Sequence, residues 1–123
     1  MLFRSKHISA LSNSACLHEK EHAYLVFGIE NETHNIVGTR FKPKHHRIGN
    51  EELENWLSRM LKPKIDFKIY EFDYNNKPIA IFEIEPTQNT PVKFKNTAYI
   101  RIGSYTKKLS DFPEKERKIW KKI

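Results

Sequence analysis

Ile65-Asp66-Phe67-Lys68-Ile69-Tyr70-Glu71-Phe72-Asp73-Tyr74-Asn75-Asn76-Lys77-Pro78-Ile79-Ala80-Ile81-Phe82-Glu83-Ile84-Glu85 decides the fold class. Ile65, Phe67 and Ile69 alternate with Asp66, Lys68 and Tyr70, the period of a strand with one face turned to a core. Asn75-Asn76-Lys77 carries residues that tolerate tight turns. The chain then returns through Ile79, Ile81 and Ile84 until Pro86 stops it. Two strands joined by so short a turn form an antiparallel hairpin.

Upstream of the hairpin lies the clearest helical pattern. Asn50 is a candidate N-cap, and Glu51 and Glu52 suit the positive end of a helix dipole. Leu53, Trp56, Leu57, Met60 and Leu61 recur at helical spacing, and Pro63 ends the run. Before it, Ala23-Tyr24-Leu25-Val26-Phe27-Gly28-Ile29 is almost wholly apolar and reads as a strand buried on both faces. Residues 30–35 make a turn, and residues 36–41 are expected to return as its partner strand. A first helix is expected over residues 2–14, with Ile8, Leu11 and either Phe3 or Arg4 as its apolar stripe. It opens without a capping residue, which implies an upstream element outside this chain.

Downstream of Pro86, short strands are expected at residues 92–94 and 98–102. Asp111 and Glu114 have the spacing of a capping box for a final helix over residues 112–122, with Trp120 packed on the sheet. The order α-β-β-α-β-β-β-β-α, dominated by hairpins, gives an α+β fold. It predicts a mixed, mostly antiparallel sheet carrying about three helices.

The chain has 123 residues, the size of one domain, with enough apolar content to close a core without staples. One cysteine, Cys16, excludes an intrachain disulfide and a cysteine-based zinc site, and points to a reducing, cytoplasmic setting. No apolar run reaches membrane-spanning length, and the charged start is no signal peptide. Lys and Arg outnumber Asp and Glu by 22 to 15, a net charge of +7 that suits phosphate-bearing partners.

That charge is concentrated. Arg40-Phe41-Lys42-Pro43-Lys44-His45-His46-Arg47 contains no acid, and neither do residues 86–110, where Lys93, Lys95, Arg101, Lys107 and Lys108 lie. Phe94, Tyr99 and Tyr105 interleave with these cations, a mixture that suits backbone contact plus base stacking. Strand alternation places Tyr99 and Arg101 outward and Ile100 and Ile102 toward the core. Lys93, Lys95, Tyr99, Arg101, Lys107 and Lys108 are therefore the primary candidate contacts. Arg40, Lys42, Lys44 and Arg47 are secondary. Nothing reads as a sequence-specific recognition helix, so contact with backbone or shape is expected.

Other chemistries find less. No glycine-rich phosphate loop is present, so no nucleotide cofactor is expected. Cys16, His18 and His22, like His45 and His46, lack the paired spacings of a zinc site. Cys16 has neighbouring histidines but no orienting third group, and reads as an inert thiol. The terminal helix is basic and amphipathic but short for a membrane-surface role.

Four ordered stretches carry a family resemblance: Ile8-Ser9-Ala10-Leu11-Ser12-Asn13, Tyr24-Leu25-Val26-Phe27-Gly28-Ile29, Pro91-Val92-Lys93-Phe94 and Tyr99-Ile100-Arg101-Ile102-Gly103-Ser104. Val37-Gly38, Leu61-Lys62-Pro63 and Thr106 fall between and after them in the expected order. Together they resemble the Schlafen AlbA-type DNA-binding domain, found at the front of helicase-related proteins and transcriptional regulators. The resemblance implies that residues 1–123 form one such domain, related to or cut from a larger protein. RNA-cleaving members use two upstream glutamates and an Asp after the Phe-Gly strand to hold divalent metal. Here the upstream pair is missing and Asn31 stands at the third position, so no enzymatic activity is expected. The absent first strand would also leave a sheet edge open, which makes protein interaction or homo-oligomerisation the rival expectation.

Overall fold

A computed structural model describes residues 5–122. In chain order the elements are helix α1 (Ser5–Leu17), strands β1 (Ala23–Phe27), β2 (Arg47–Ile48) and β3 (Glu51–Glu52), and helix α2 (Leu53–Met60). Strands β4 (Leu61–Lys62), β5 (Phe67–Tyr74), β6 (Lys77–Ile84), β7 (Lys93–Phe94), β8 (Thr97–Ile102) and β9 (Tyr105–Lys108) follow, then helix α3 (Pro113–Trp120). The strands form a three-stranded sheet in the order β1-β6-β5, a four-stranded sheet in the order β4-β7-β8-β9, and a β2-β3 ribbon. The pairings are antiparallel, as the hairpin reading requires.

The deciding hairpin is the scaffold of the first sheet. Phe67 pairs with Ile84 and Tyr74 with Lys77. Asn75 and Asn76 turn the chain with φ of 51° and 64°, a left-handed pair that asparagine tolerates and that matches strand twist. Lys95 and Asn96 repeat the device between β7 and β8, with φ of 49° and 71°.

The main core lies between the sheets. Ile8 of α1, Leu53, Trp56 and Leu57 of α2, Leu61, Phe82, Ile84, Val92 and Phe94 close on one another. A smaller cluster of Cys16, Ile100, Leu109 and Ile119 sits under α3.

Helix α1 departs most from expectation. Phe3 and Arg4 lie outside the described residues. Within them, Ile8 is buried, but so are Ser5, Ser9, Ser12 and Asn13. Burying polar groups costs free energy unless each finds a partner. Here Ser9, Ser12 and Asn13 serve main-chain groups that no strand reaches. Ser9 Oγ donates to the Val92 carbonyl at 2.6 Å and accepts the Tyr99 amide at 3.1 Å. Asn13 Nδ2 donates to the carbonyls of Val92 (3.0 Å) and Tyr99 (2.8 Å), while its Oδ1 accepts the Val92 amide at 2.7 Å. Ser12 donates to the Glu85 carbonyl at 2.8 Å, and Ser14 accepts the Arg101 amide at 3.0 Å. The helix thus stands in for a strand along the edge of β8.

Several expected elements change. Residues 36–41 form no strand. A single Ile29–Ile36 bridge closes the turn, and the chain crosses the end of β6, with Val37 and Gly38 donating to the Gly28 carbonyl and Thr39 to that of Pro78. Gly28 (φ +106°) and Gly38 (φ +81°) make that path possible. β1 is an edge strand rather than one buried on both faces, with Tyr24 exposed. Asn50 caps no helix: with Gly49 it turns the β2-β3 ribbon, and α2 starts at Leu53. Leu61 leaves the helix for β4 but stays buried. Asp111 closes a 3₁₀ turn, so Phe112 takes the N-cap position with Pro113 next, and the capping box does not form. Trp120 is 54% exposed, its indole reaching Glu116, while Ile119 is the buried residue of α3.

Candidate nucleic-acid interface

An open cleft of about 660 Å³ separates the amino-terminal half of α1 and the edge of β1 from the β8-β9 hairpin. Lys6 and His7 line one wall, Tyr24 the sheet side, and Arg101, Tyr105 and Thr106 the hairpin side. Main-chain pairing sets Arg101 opposite Thr106, and Ser14 pins the Arg101 amide from α1. The Arg101 guanidinium donates from Nη1 to Thr106 Oγ1 at 3.0 Å, and the same hydroxyl lies 2.6 Å from His7 Nδ1. Lys6 extends its ammonium over the Tyr99 ring, 5.8 Å from the centroid, a cation–π arrangement. Lys108 pairs with Tyr99, which places it by strand alternation on the same face as Thr106. Lys6, Arg101 and Lys108 therefore present positive charge to one side of the hairpin, and the exposed Tyr105, which alternates to the other face with Lys107, also borders the cleft.

The ten sequence candidates fall into three groups. Arg101 is in the cleft, and Tyr99 and Lys108 adjoin it. The Tyr99 ring, expected outward, is half-buried and packs against the main core. Ile100 is buried as expected and Ile102 is half-buried. Lys107 pairs with Ile100 and reaches back over the Tyr105 ring at 5.7 Å. Lys93 and Lys95 form a second group on β7 and its turn. Lys93 faces Lys62 across the β4-β7 pair, and Lys95 lies over Trp56 (5.5 Å) and Phe94 (5.8 Å). Arg40, Lys42, Lys44 and Arg47 make a third group on the segment packed beside β5 and α2. In it the Lys44 amide donates to Glu71, and Arg47 donates to the Asn50 carbonyl.

Sequence reasoning missed Lys6, His7, His34 and Lys62. His7 and Leu11 both line the cleft at helical i, i+4 spacing, so the outward stripe of α1 was the available signal. Lys62 carried none, because its neighbour across the strands is thirty-one positions away.

Asn31 and Glu30 also border the cleft, and Glu30 accepts from the Thr33 hydroxyl at 2.7 Å. Among the described residues no three His, Cys, Asp or Glu side chains converge as a metal site. His22 turns to Glu85 (3.1 Å) and His46 packs its ring against Phe41, away from their sequence neighbours. Cys16 is buried, with Sγ directed to the Gln88 carbonyl. Burial raises its thiol pKa above the ordinary 9.0, partly opposed by the positive charge of Lys122. No helix among the described residues is long and apolar enough to cross a membrane.

Fold and cleft together define a small α+β module: two antiparallel sheets joined through a polar helix, with a cationic cleft at their seam. The chain belongs to the Schlafen AlbA_2 family, whose model matches residues 3–110. Its fold is similar to that in the crystal structure of the DIP2311 protein from Corynebacterium diphtheriae. The TM-score is 0.53 at 14% identity, over 95% of this chain and 20% of that one. The chain thus spans about a fifth of that protein's length. No curated protein sequence matches it significantly.

Proposed function

We propose that this domain binds nucleic acid through the cleft and the β8-β9 hairpin, chiefly by contact with the phosphate backbone. The observation that carries the reading is the placement of Lys6 and Arg101 in the wall of the cleft, with Lys108 on the same hairpin face, on a chain of net charge +7. Family membership supports a nucleic-acid-related role. The Lys62–Lys93 pair and the Arg40–Arg47 segment supply additional positive surface for a long ligand. The domain is read as the cytoplasmic, non-catalytic binding unit of a larger regulator or helicase-related protein. Asn31 in place of a carboxylate at the cleft supports the absence of metal-dependent cleavage, because a neutral amide is a weaker metal ligand.

A second reading rests on β1, which pairs with β6 on one side and lines the cleft with Tyr24, Leu25 and Val26 on the other. Such an edge can accept a strand from a protein partner or a second copy. Fluorescence anisotropy with labelled single-stranded DNA, duplex DNA and structured RNA at two salt concentrations separates the readings. Salt-sensitive binding supports the first. No binding at low salt, with a stable dimer by light scattering, supports the second. Incubating RNA with the protein and magnesium or manganese tests for cleavage.

A further inference from the structure

The solvent face of the β1-β6-β5 sheet carries an uncovered row of rings. Tyr70, Phe72 and Tyr74 alternate along β5 and are 43%, 45% and 51% exposed; Tyr24 on β1 is 54% exposed. Same-face residues on a strand repeat at about 6.7 Å, so the three β5 rings form a ladder. An exposed aromatic surface of this kind marks a binding face more often than an accident of packing.

From this arrangement we infer that the sheet face takes single-stranded nucleic acid, its bases stacking on Tyr24, Tyr70 and Phe72. The inference rests on the nucleic-acid reading above and adds the form of the ligand. Three observations choose this occupant. First, Tyr24 belongs both to the ring surface and to the wall of the cationic cleft, so one strand can run from Lys6 and Arg101 onto the sheet without leaving the protein. Second, Lys68 and Lys77 flank the ladder: Lys68 shares the alternation of Tyr70 and Phe72, and Lys77 pairs with Tyr74. Phosphates are therefore matched at the margins. Third, the row that joins Tyr24 to β5 carries an acceptor beside Lys68. Glu83 pairs with both Tyr24 and Lys68 and accepts the hydroxyls of Tyr24 and Tyr70, each at 3.4 Å. A carboxylate there repels phosphate and accepts the N–H edges of bases. Stacking needs bases out of a duplex, so paired DNA gains nothing from this face.

The test uses labelled oligodeoxythymidylate, oligouridylate and a duplex of equal length, with the full chain. The double variant Tyr70→Thr/Phe72→Thr removes two rings while keeping strand-favouring residues. It should weaken single-strand binding about tenfold or more, leaving duplex affinity and salt dependence unchanged. Tyr70→Phe, which keeps the ring, should bind as wild type does. Unaltered single-strand affinity in the double variant overturns the inference and leaves the nucleic-acid reading standing. Failure of the wild-type protein to bind any of the three probes removes both. A dimer that the double variant dissolves, seen by light scattering, assigns the face to a second copy and also overturns it.

Discussion

Asn13 holds Val92 by both of its main-chain groups: its Oδ1 accepts the Val92 amide at 2.7 Å and its Nδ2 donates to the Val92 carbonyl at 3.0 Å. With its further bond to the Tyr99 carbonyl, one buried carboxamide replaces the partner strand that β8 lacks along this stretch. Removing it takes the side-chain partner from the Val92 amide and the Tyr99 carbonyl, while the Val92 carbonyl keeps only the Ser9 hydroxyl. Asn13→Ala is expected to destabilise the fold by about 2–4 kcal/mol. Urea unfolding followed by circular dichroism measures this, and a midpoint equal to that of wild type would contradict the clamp.

The cleft cations should act as phosphate contacts. Lys6→Gln and Arg101→Gln are each expected to weaken nucleic-acid binding across sequences and to lower the slope of log affinity against log salt by about 1. Anisotropy titrations over a salt series give both quantities. Loss of affinity with an unchanged slope would mean the residue acts by another route.

Gly28 and Gly49 both take positive φ but stand in different surroundings. A Cβ on Gly28 would come within 2.8 Å of Ile79 Cδ1 and 2.9 Å of the Pro78 carbonyl oxygen, whereas one on Gly49 meets nothing within 4 Å. Gly28→Ala should cost about 2–4 kcal/mol, combining backbone strain with a clash, and Gly49→Ala about 1 kcal/mol from strain alone. Thermal melts of the two variants should rank in that order.

Glu51 titrates below its ordinary 4.5, because Arg59 hydrogen-bonds its carboxylate (Nη2–Oε1 2.6 Å), assisted by the Arg59 charge and by Asn55, with partial desolvation opposing. A depressed folded-state pKa means the pair favours the fold at pH above the unfolded carboxylate value. That contribution fades as pH falls through the lower folded value. Arg59→Gln should return the Glu51 titration, followed by carboxyl NMR, toward 4.5 and remove this small acid-side dependence. An unmoved titration would show that another group sets it.

Cys16 should stay unreactive in the native protein, since burial both shields the sulfur and disfavours its thiolate. Labelling by a thiol reagent should proceed at the unfolding rate and accelerate in denaturant. Rapid native-state labelling would contradict the buried position.

The hairpins were legible because their signal is local: alternation, a turn pair, and return. The path of residues 36–41 was not, since Gly28 and Gly38 redirect the chain across β6 and the strand-like composition of Ile36-Val37 loses to that geometry. β9 was invisible for a different reason. Tyr105-Thr106-Lys107-Lys108 has no apolar face to bury, so it leaves no period to read. Arg101 could be named from charge alone, but its partners could not. Thr106 reaches it through the unforeseen β9 pairing, and Lys6 joins it at the cleft only through the docking of α1, whose inward face is in large part hydrogen-bonding.

The polarity of β9 bears on how such domains diversify. Main-chain pairing with β8 holds the strand in place, and its side chains take no part in either core cluster. Mutational drift at Tyr105, Lys107 and Lys108 therefore meets little resistance from folding, whereas Thr106 is tied to Arg101 and His7. The hairpin can acquire new charges and new rings while the scaffold that presents it is inherited unaltered, so lineages sharing this architecture are free to part in their choice of ligand.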